Sequence, residues 1–249
     1  MKKFIFYTLL FISGCMFSQN GKLFEEGNKA YQQGKYEVAV SKYEQIIDKG
    51  EASADLYYNL GNAHYKLNHI APSIFYYEKA LQLKPGDNDI QNNIKFAKNM
   101  AIDDIETVEK TGLSESWNNL VRSFSFSTWA WLAILFSVLF VAMFLLYYFS
   151  GRSVFKRIYF GLSMLAILLC ITSVFIGFQQ KSSIEDNEFA IVFSEEAEVR
   201  DEPNLRGNAS FTLHEGTKAR LLEDYQQWYK IELANGAQGW IDREHIRKL

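Results

Sequence analysis

The sequence predicts a multi-domain membrane protein: an all-α repeat module, then a two-helix transmembrane hairpin, then an all-β barrel. Three observations carry this. Two apolar runs of 21 residues, 129–149 and 158–178, contain no charged side chain. Ahead of them, short motifs recur with an offset of 34 residues. Behind them, β-rich runs alternate with turn residues such as Asn235-Gly236.

The hairpin follows from length. At about 1.5 Å per residue, each run covers roughly 31 Å as a helix, the thickness of a hydrocarbon core. A helix bonds its backbone internally and so crosses lipid without exposing polar groups. The alternative, a buried hairpin in a soluble domain, fits poorly, because such helices rarely stay uncharged for so long. Trp129 and Trp131 flank one end of the first run and Tyr147 and Tyr148 the other, where interfacial aromatics collect. The loop 150–157 carries Arg152, Lys156 and Arg157 and no acid, and short basic loops stay in the cytoplasm. These three residues therefore set the topology: an inner-membrane protein with both modules periplasmic.

The start of the chain agrees with export. Met1-Lys2-Lys3 followed by apolar 4–12 reads as a signal peptide over 1–18. Cleavage after Ser18 or Gln19 is one reading. The other is a lipobox, Ile12-Ser13-Gly14-Cys15, in which Cys15 is lipidated. Only one further cysteine exists, Cys170, inside the second run, so neither module can hold a disulfide. A net charge of −3 gives no argument for nucleic acid.

The repeat module spans 20–100. Gly27-Asn28-Lys29-Ala30-Tyr31 and Gly61-Asn62-Ala63-His64-Tyr65 are 34 residues apart, as are Tyr43-Glu44 and Tyr77-Glu78. With small Ala39 and Ser73 facing the glycines, this pattern resembles the tetratricopeptide repeat. Gly34 ends the first helix, Pro85-Gly86-Asp87 ends the second repeat, and Asp87 or Asn88 caps a further helix running to about Met100. That helix reads as a degenerate third repeat or a solvating helix.

The resemblance implies a concave groove for extended peptides or partner helices, lined by Phe24, Asn28, Tyr31, Tyr58, Asn59, Asn62, Tyr65 and Lys66. Each tyrosine could equally pack the core. Phe24 and Asp89 stand where the family's carboxylate clamp needs lysines, so capture of a C-terminal carboxylate is not expected. Residues 101–128 form a linker whose Trp117, Leu120, Val121 and Phe124 suggest a short amphipathic juxtamembrane helix, lying at the interface or folded back on the repeats.

The last module, 184–249, resembles the bacterial SH3 domain. The segments that carry the likeness are Ala197–Pro203, Leu213-His214-Glu215-Gly216-Thr217, Gln227–Ile231 and Gly239-Trp240-Ile241, with Ile246 closing. An SH3-like barrel of five or six strands follows, with a type I′ hairpin at Asn235-Gly236. Tyr225, Trp228, Tyr229 and Trp240 are candidates for an exposed aromatic binding face; at least one of the tryptophans could instead be core. Both protein partners and peptidoglycan suit such a domain.

No catalytic constellation appears. His64, His69, His214 and His245 make no metal-binding pattern, and there is no phosphate loop or nucleophile elbow. The sequence therefore predicts neither an enzyme nor a cofactor. The order of parts resembles the BatE-like proteins of Bat aerotolerance operons. That resemblance implies a non-catalytic scaffold beside von Willebrand-type membrane proteins and a MoxR-like ATPase, linked with oxidative or envelope stress.

Overall fold

The computed structural model describes residues 20–105, 117, 120–121, 123–186 and 188–249. The expected signal peptide, Cys15 and much of the expected linker lie outside these. The chain forms two compact units, one joining the repeat helices to the C-terminal sheet and the other holding the hairpin.

Five helices build the repeats: α1 (20–32), α2 (Tyr36–Ile47), α3 (Ala54–Lys66), α4 (Ile70–Leu83) and α5 (Asn88–Lys98). The periodic residues explain their packing. Tyr43 of α2 and Tyr77 of α4 are almost fully buried, each lying over the glycine that opens the motif of the preceding helix. A Cβ on Gly61 would sit 2.7 Å from the Tyr77 ring, so only glycine lets the helices approach this closely. Ser73 Oγ donates to the Gly61 carbonyl at 3.1 Å. Ser53 caps α3 through the Leu56 amide, and Asp87 caps α5 through the Asp89 and Ile90 amides. Gly34 (φ 75°) and Asn68 (φ 62°) take the left-handed turn at equivalent places.

Seven antiparallel strands follow: β1 (Phe189–Val192), β2 (Glu196–Arg200), β3 (Ala209–His214), β4 (Lys218–Tyr225), β5 (Trp228–Glu232), β6 (Gln238–Asp242) and β7 (Ile246–Lys248). The order across the sheet is β3-β2-β6-β5-β4-β1-β7. The expected barrel is thus corrected to an open sheet: among the described residues no ladder joins β3 to β7. The strands that would have to pair, β3 and β7, stand at opposite ends of the order, and β7 has only three residues, which pair with β1. Ala197, Val199, Leu213, Ile231 and Ile241 belong to the sheet's buried core.

The Asn235-Gly236 hairpin exists but is not type I′. Only Gly236 (φ 88°) is left-handed, its amide bonds back to Leu233, and the Asn235 side chain accepts from the Ala237 amide instead. β3 was not foreseen; it is an edge strand whose burial runs from exposed at Ala209 to buried at Leu213 instead of alternating.

The repeats and the sheet pack directly on each other. Ile191 of β1 is fully buried in one cluster with Ile74, Ile90, Ile94 and Ala97. Phe193 meets Phe75 edge-on at 5.5 Å. Ile105 lies against the sheet core. These modules, expected to be separate, form one compact unit.

In the other unit, α6 (Phe126–Phe149) and α7 (Ser153–Asp186) form the hairpin. Both contain stretches long and apolar enough to cross a membrane. Among the described residues, Trp129 is the one buried residue of α6, and much of the helix's apolar surface is left open. The connecting turn is shorter than the expected eight residues: α7 starts at Ser153, because nothing after Gly151 breaks a helix, and Lys156 and Arg157 lie in its first turns. Ser163, Ala166 and Ser173 are buried and Cys170 Sγ reaches the Ala133 carbonyl at 3.4 Å, a run of small residues that lets the two helices meet closely. Residues 117, 120 and 121 are helical, and Val121 packs with Trp129 and Ile176 at the base of the hairpin.

Candidate functional site

Two surfaces of the repeat–sheet unit have the geometry of a binding site. The first is the groove formed by the leading helices α1, α3 and α5. Asn28 Oδ1 accepts from the Tyr43 hydroxyl (2.7 Å) and from Asn59 Nδ2 (2.9 Å). One repeat later the same relay recurs: Asn62 Oδ1 accepts from Tyr77 (2.6 Å) and from Asn93 Nδ2 (2.8 Å). Asn93 Nδ2 also donates to the Tyr58 hydroxyl at 3.0 Å. Each amide oxygen is thereby saturated by protein donors, which fixes the side chain and its orientation.

Burial pushes the Tyr43 phenol up to about 12 and raises that of Tyr77 further, while burial and neighbouring phenols raise Tyr31. These tyrosines therefore remain neutral hydrogen-bond donors at any physiological pH.

Of the eight groove residues expected from the sequence, Tyr31, Asn62, Tyr65 and Lys66 line one cavity of about 210 Å³, together with Tyr77, Asn93 and Phe96. Asn28, Tyr58 and Asn59 belong to the hydrogen-bond relays beside it. Phe24 packs into the core of the first repeat, its ring 5.9 Å from Tyr43. Asn93 and Phe96 were missed, although adding 34 to Asn59 and Asn62 reaches both. Phe96 is 60% exposed, a large apolar side chain at the mouth of the cavity.

The second surface is the outer face of the sheet. Side chains alternate along a strand, so Glu196, Glu198, Arg200, Trp228, Lys230 and Trp240 share this face while Ile231 and Ile241 point inward. Trp228 is 8% exposed and lines a cleft of about 370 Å³ with Glu196, Glu198, Arg200, Leu205, Asp242 and His245. Arg200 pairs with Glu198 and donates to the carbonyls of Leu205 and Gly207, which pins the loop over the cleft. Tyr225 meets Trp240 edge-on at 6.3 Å, with Lys230 over the indole. Tyr229 does not join this face. Its register with Ile241 turns it to the core side, where Arg243 and Lys248 cover its ring.

Among the described residues no three His, Cys, Asp or Glu side chains come together as metal ligands. His64 is buried, stacked on Tyr76 and 3.2 Å from His69 between their Nδ1 atoms; burial and His69 lower it to about 4.

Comparison with known proteins matches this architecture piece by piece. Residues 27–68 match the family model of the TPR repeat and 54–87 that of the tetratricopeptide repeat. Residues 194–248 match the bacterial SH3 domain. No curated protein matches the chain. Tetratricopeptide repeats and SH3 domains are typically interaction modules without catalytic activity, and they suggest binding of proteins or of peptidoglycan.

Proposed function

We propose that the protein is a non-catalytic inner-membrane scaffold that grips an extended segment of an envelope protein in its repeat groove. The observation that carries this is the pair of amide–phenol relays, which presents Asn62, Asn93, Tyr31 and Lys66 around a cavity with an exposed Phe96 at its mouth. Rigid polar groups beside an exposed aromatic suit an extended peptide with apolar side chains.

The hairpin anchors the scaffold, and two features support both modules lying on one side of the membrane. Residues before and after the hairpin pack in one compact unit, which needs an even number of crossings between them. The turn side carries Arg152, Lys156 and Arg157, which favours a periplasmic location for the modules. A Bat-type complex, with von Willebrand-type proteins and a MoxR-like ATPase system as neighbours, is the setting the order of parts favours. A photo-crosslinker at Phe96 in the native membrane should capture one envelope protein. No specific adduct at Phe96 and at Tyr65 would remove the reading.

A second reading has its own observation, the cleft floored by Trp228 in the SH3 domain. On this reading the cleft binds peptidoglycan and the protein senses the cell wall. Detergent-solubilised protein should then co-sediment with purified peptidoglycan, and Trp228→Ala should abolish it. Absence of co-sedimentation by the unaltered protein excludes it.

A further inference from the structure

The helix α5 opens a third repeat, and among the described residues of the repeat–sheet unit no second helix follows it. Its inner face is nonetheless covered. Ile90, Ile94 and Ala97 are buried in the cluster that includes Ile191 of β1. The β3–β4 turn presses on the same region: a Cβ at Gly216 would meet Ile74 at 2.9 Å, Ile70 at 3.1 Å and Ala101 at 3.5 Å.

Two polar clamps fasten the contact at its edges. Glu78, 7% exposed, accepts from Lys98 of α5 (2.9 Å) and from Lys218 of β4 (2.7 Å). Asp103, just beyond α5, accepts from the backbone amide of His214 (2.7 Å), from the Thr217 hydroxyl (2.5 Å) and at its other oxygen from the His214 ring (2.7 Å). Burial raises the carboxyl groups of both acids, but these donors outweigh it and hold each below its ordinary range. Both are charged partners of the sheet under all but strongly acidic conditions.

The opposite side of α5 carries Asn93 and Phe96 into the groove cavity. We infer that the SH3 domain takes the place of the third repeat's second helix, and that its docking through β1 and the β3–β4 turn holds α5, and so one wall of the groove, in position. A single helix with three buried apolar residues lacks the contacts to keep its place once that cover is gone. The two recognition surfaces are then coupled: a ligand that pulls the SH3 domain away loosens the groove. The coupling to ligand rests on the groove being the binding site; the docking does not.

The test reads α5 directly and needs no ligand. In the full-length protein in detergent, hydrogen exchange is followed with Asp103→Ala and Lys218→Ala combined. The amides of 91–98 should exchange at least ten-fold faster, with α2 and strands β4–β6 unchanged. Unchanged protection of α5 overturns the inference. If the double variant loses protection throughout, Lys218→Ala alone, which leaves the Asp103 clamp in place, decides. It should still speed exchange of 91–98 several-fold with α2 unchanged, and unchanged protection of α5 overturns the inference. Loss of peptide capture by an intact α5 would count against the groove instead and leave the docking standing.

Discussion

The two complete repeats are copies of one 34-residue design placed in different surroundings, and their differences locate what the array touches. At equivalent positions the first has Ala30 and the second His64; the first has Gly34 and the second Asn68. Glu44 and Glu78 are identical in type, yet Glu44 is exposed while Glu78 is buried between two lysines. Inside each repeat the shared residues behave alike, Gly27 under Tyr43 and Gly61 under Tyr77. The repeat period thus fixes the internal packing, and the neighbour on the outside decides the fate of the same glutamate.

The sharpest break of this comparison is at that glutamate. Glu78→Ala removes the shared partner of the part-exposed Lys98 and Lys218 and should cost about 2–3 kcal/mol, with Glu44→Ala close to neutral. Thermal unfolding of the detergent-solubilised chain measures both. Equal effects would mean that the second repeat gains nothing from the sheet packed against it.

Much of the fold was readable because its signals are local or periodic. Gly27, Tyr43 and their copies announce the repeat, 21 uncharged residues announce a long apolar helix, and Trp228 and Gly239-Trp240 mark strands. The groove was half readable: Tyr31, Asn62, Tyr65 and Lys66 come from the period, and Asn93 was one step further along it. The docking was not readable. Glu78 and Lys218 are 140 positions apart, Asp103 and His214 are 111 apart, and no period links them. Gly216 reads as an ordinary turn glycine, and nothing in its neighbours announces the isoleucines it faces. The outer face of the SH3 domain was over-read for a simpler reason: Trp228 and Tyr229 are adjacent on a strand and cannot point the same way.

The next difference is acid sensitivity. Burial and His69 lower His64 to about 4, against an ordinary 6.5 in the unfolded chain. The unfolded state therefore takes up a proton first. Stability is complete above pH 6.5, declines as the pH falls towards 4, and loses about 2–3 kcal/mol over that window. Glu78 and Asp103, lowered rather than raised, add their loss as the pH falls through their ordinary values of 4.5 and 3.8 and below. His64→Ala, which restores the first repeat's residue, should flatten the slope between pH 6.5 and 4 whatever it does to absolute stability. Equilibrium unfolding at a series of pH values checks this; a slope that persists would place the titrating group elsewhere.

Where the repeats are alike, substitutions should also act alike. A Cβ on Gly61 meets the Tyr77 ring, and one on Gly27 meets the Tyr43 ring, in both cases too closely to fit without moving a buried aromatic. Gly27→Ala and Gly61→Ala should each cost about 2 kcal/mol, read as lowered melting temperatures. A markedly larger loss at Gly61 would show that the Ser73 bond to its carbonyl stiffens the second repeat, since Ala39 offers no such bond to the first.

The smallest effect belongs to the turn after the first helix of each repeat. Gly34 and Asn68 both adopt left-handed backbone, and the hydrogen bonds around them match: Gly34 and Asn68 donate to Tyr31 and Tyr65, and the next residues donate to Ala30 and His64. Glycine takes this conformation without a Cβ clash, and asparagine is the side chain that tolerates it best. Glycine also gives the unfolded chain more freedom, which offsets part of the gain. Asn68→Gly should therefore change stability by no more than about 0.5 kcal/mol, while Asn68→Ala, with neither advantage, should cost about 1 kcal/mol. Paired melts of the two variants separate these effects. If alanine proved as stable as asparagine, the left-handed turn would not be what ends α3, and the match between the two repeats would extend no further than their helices.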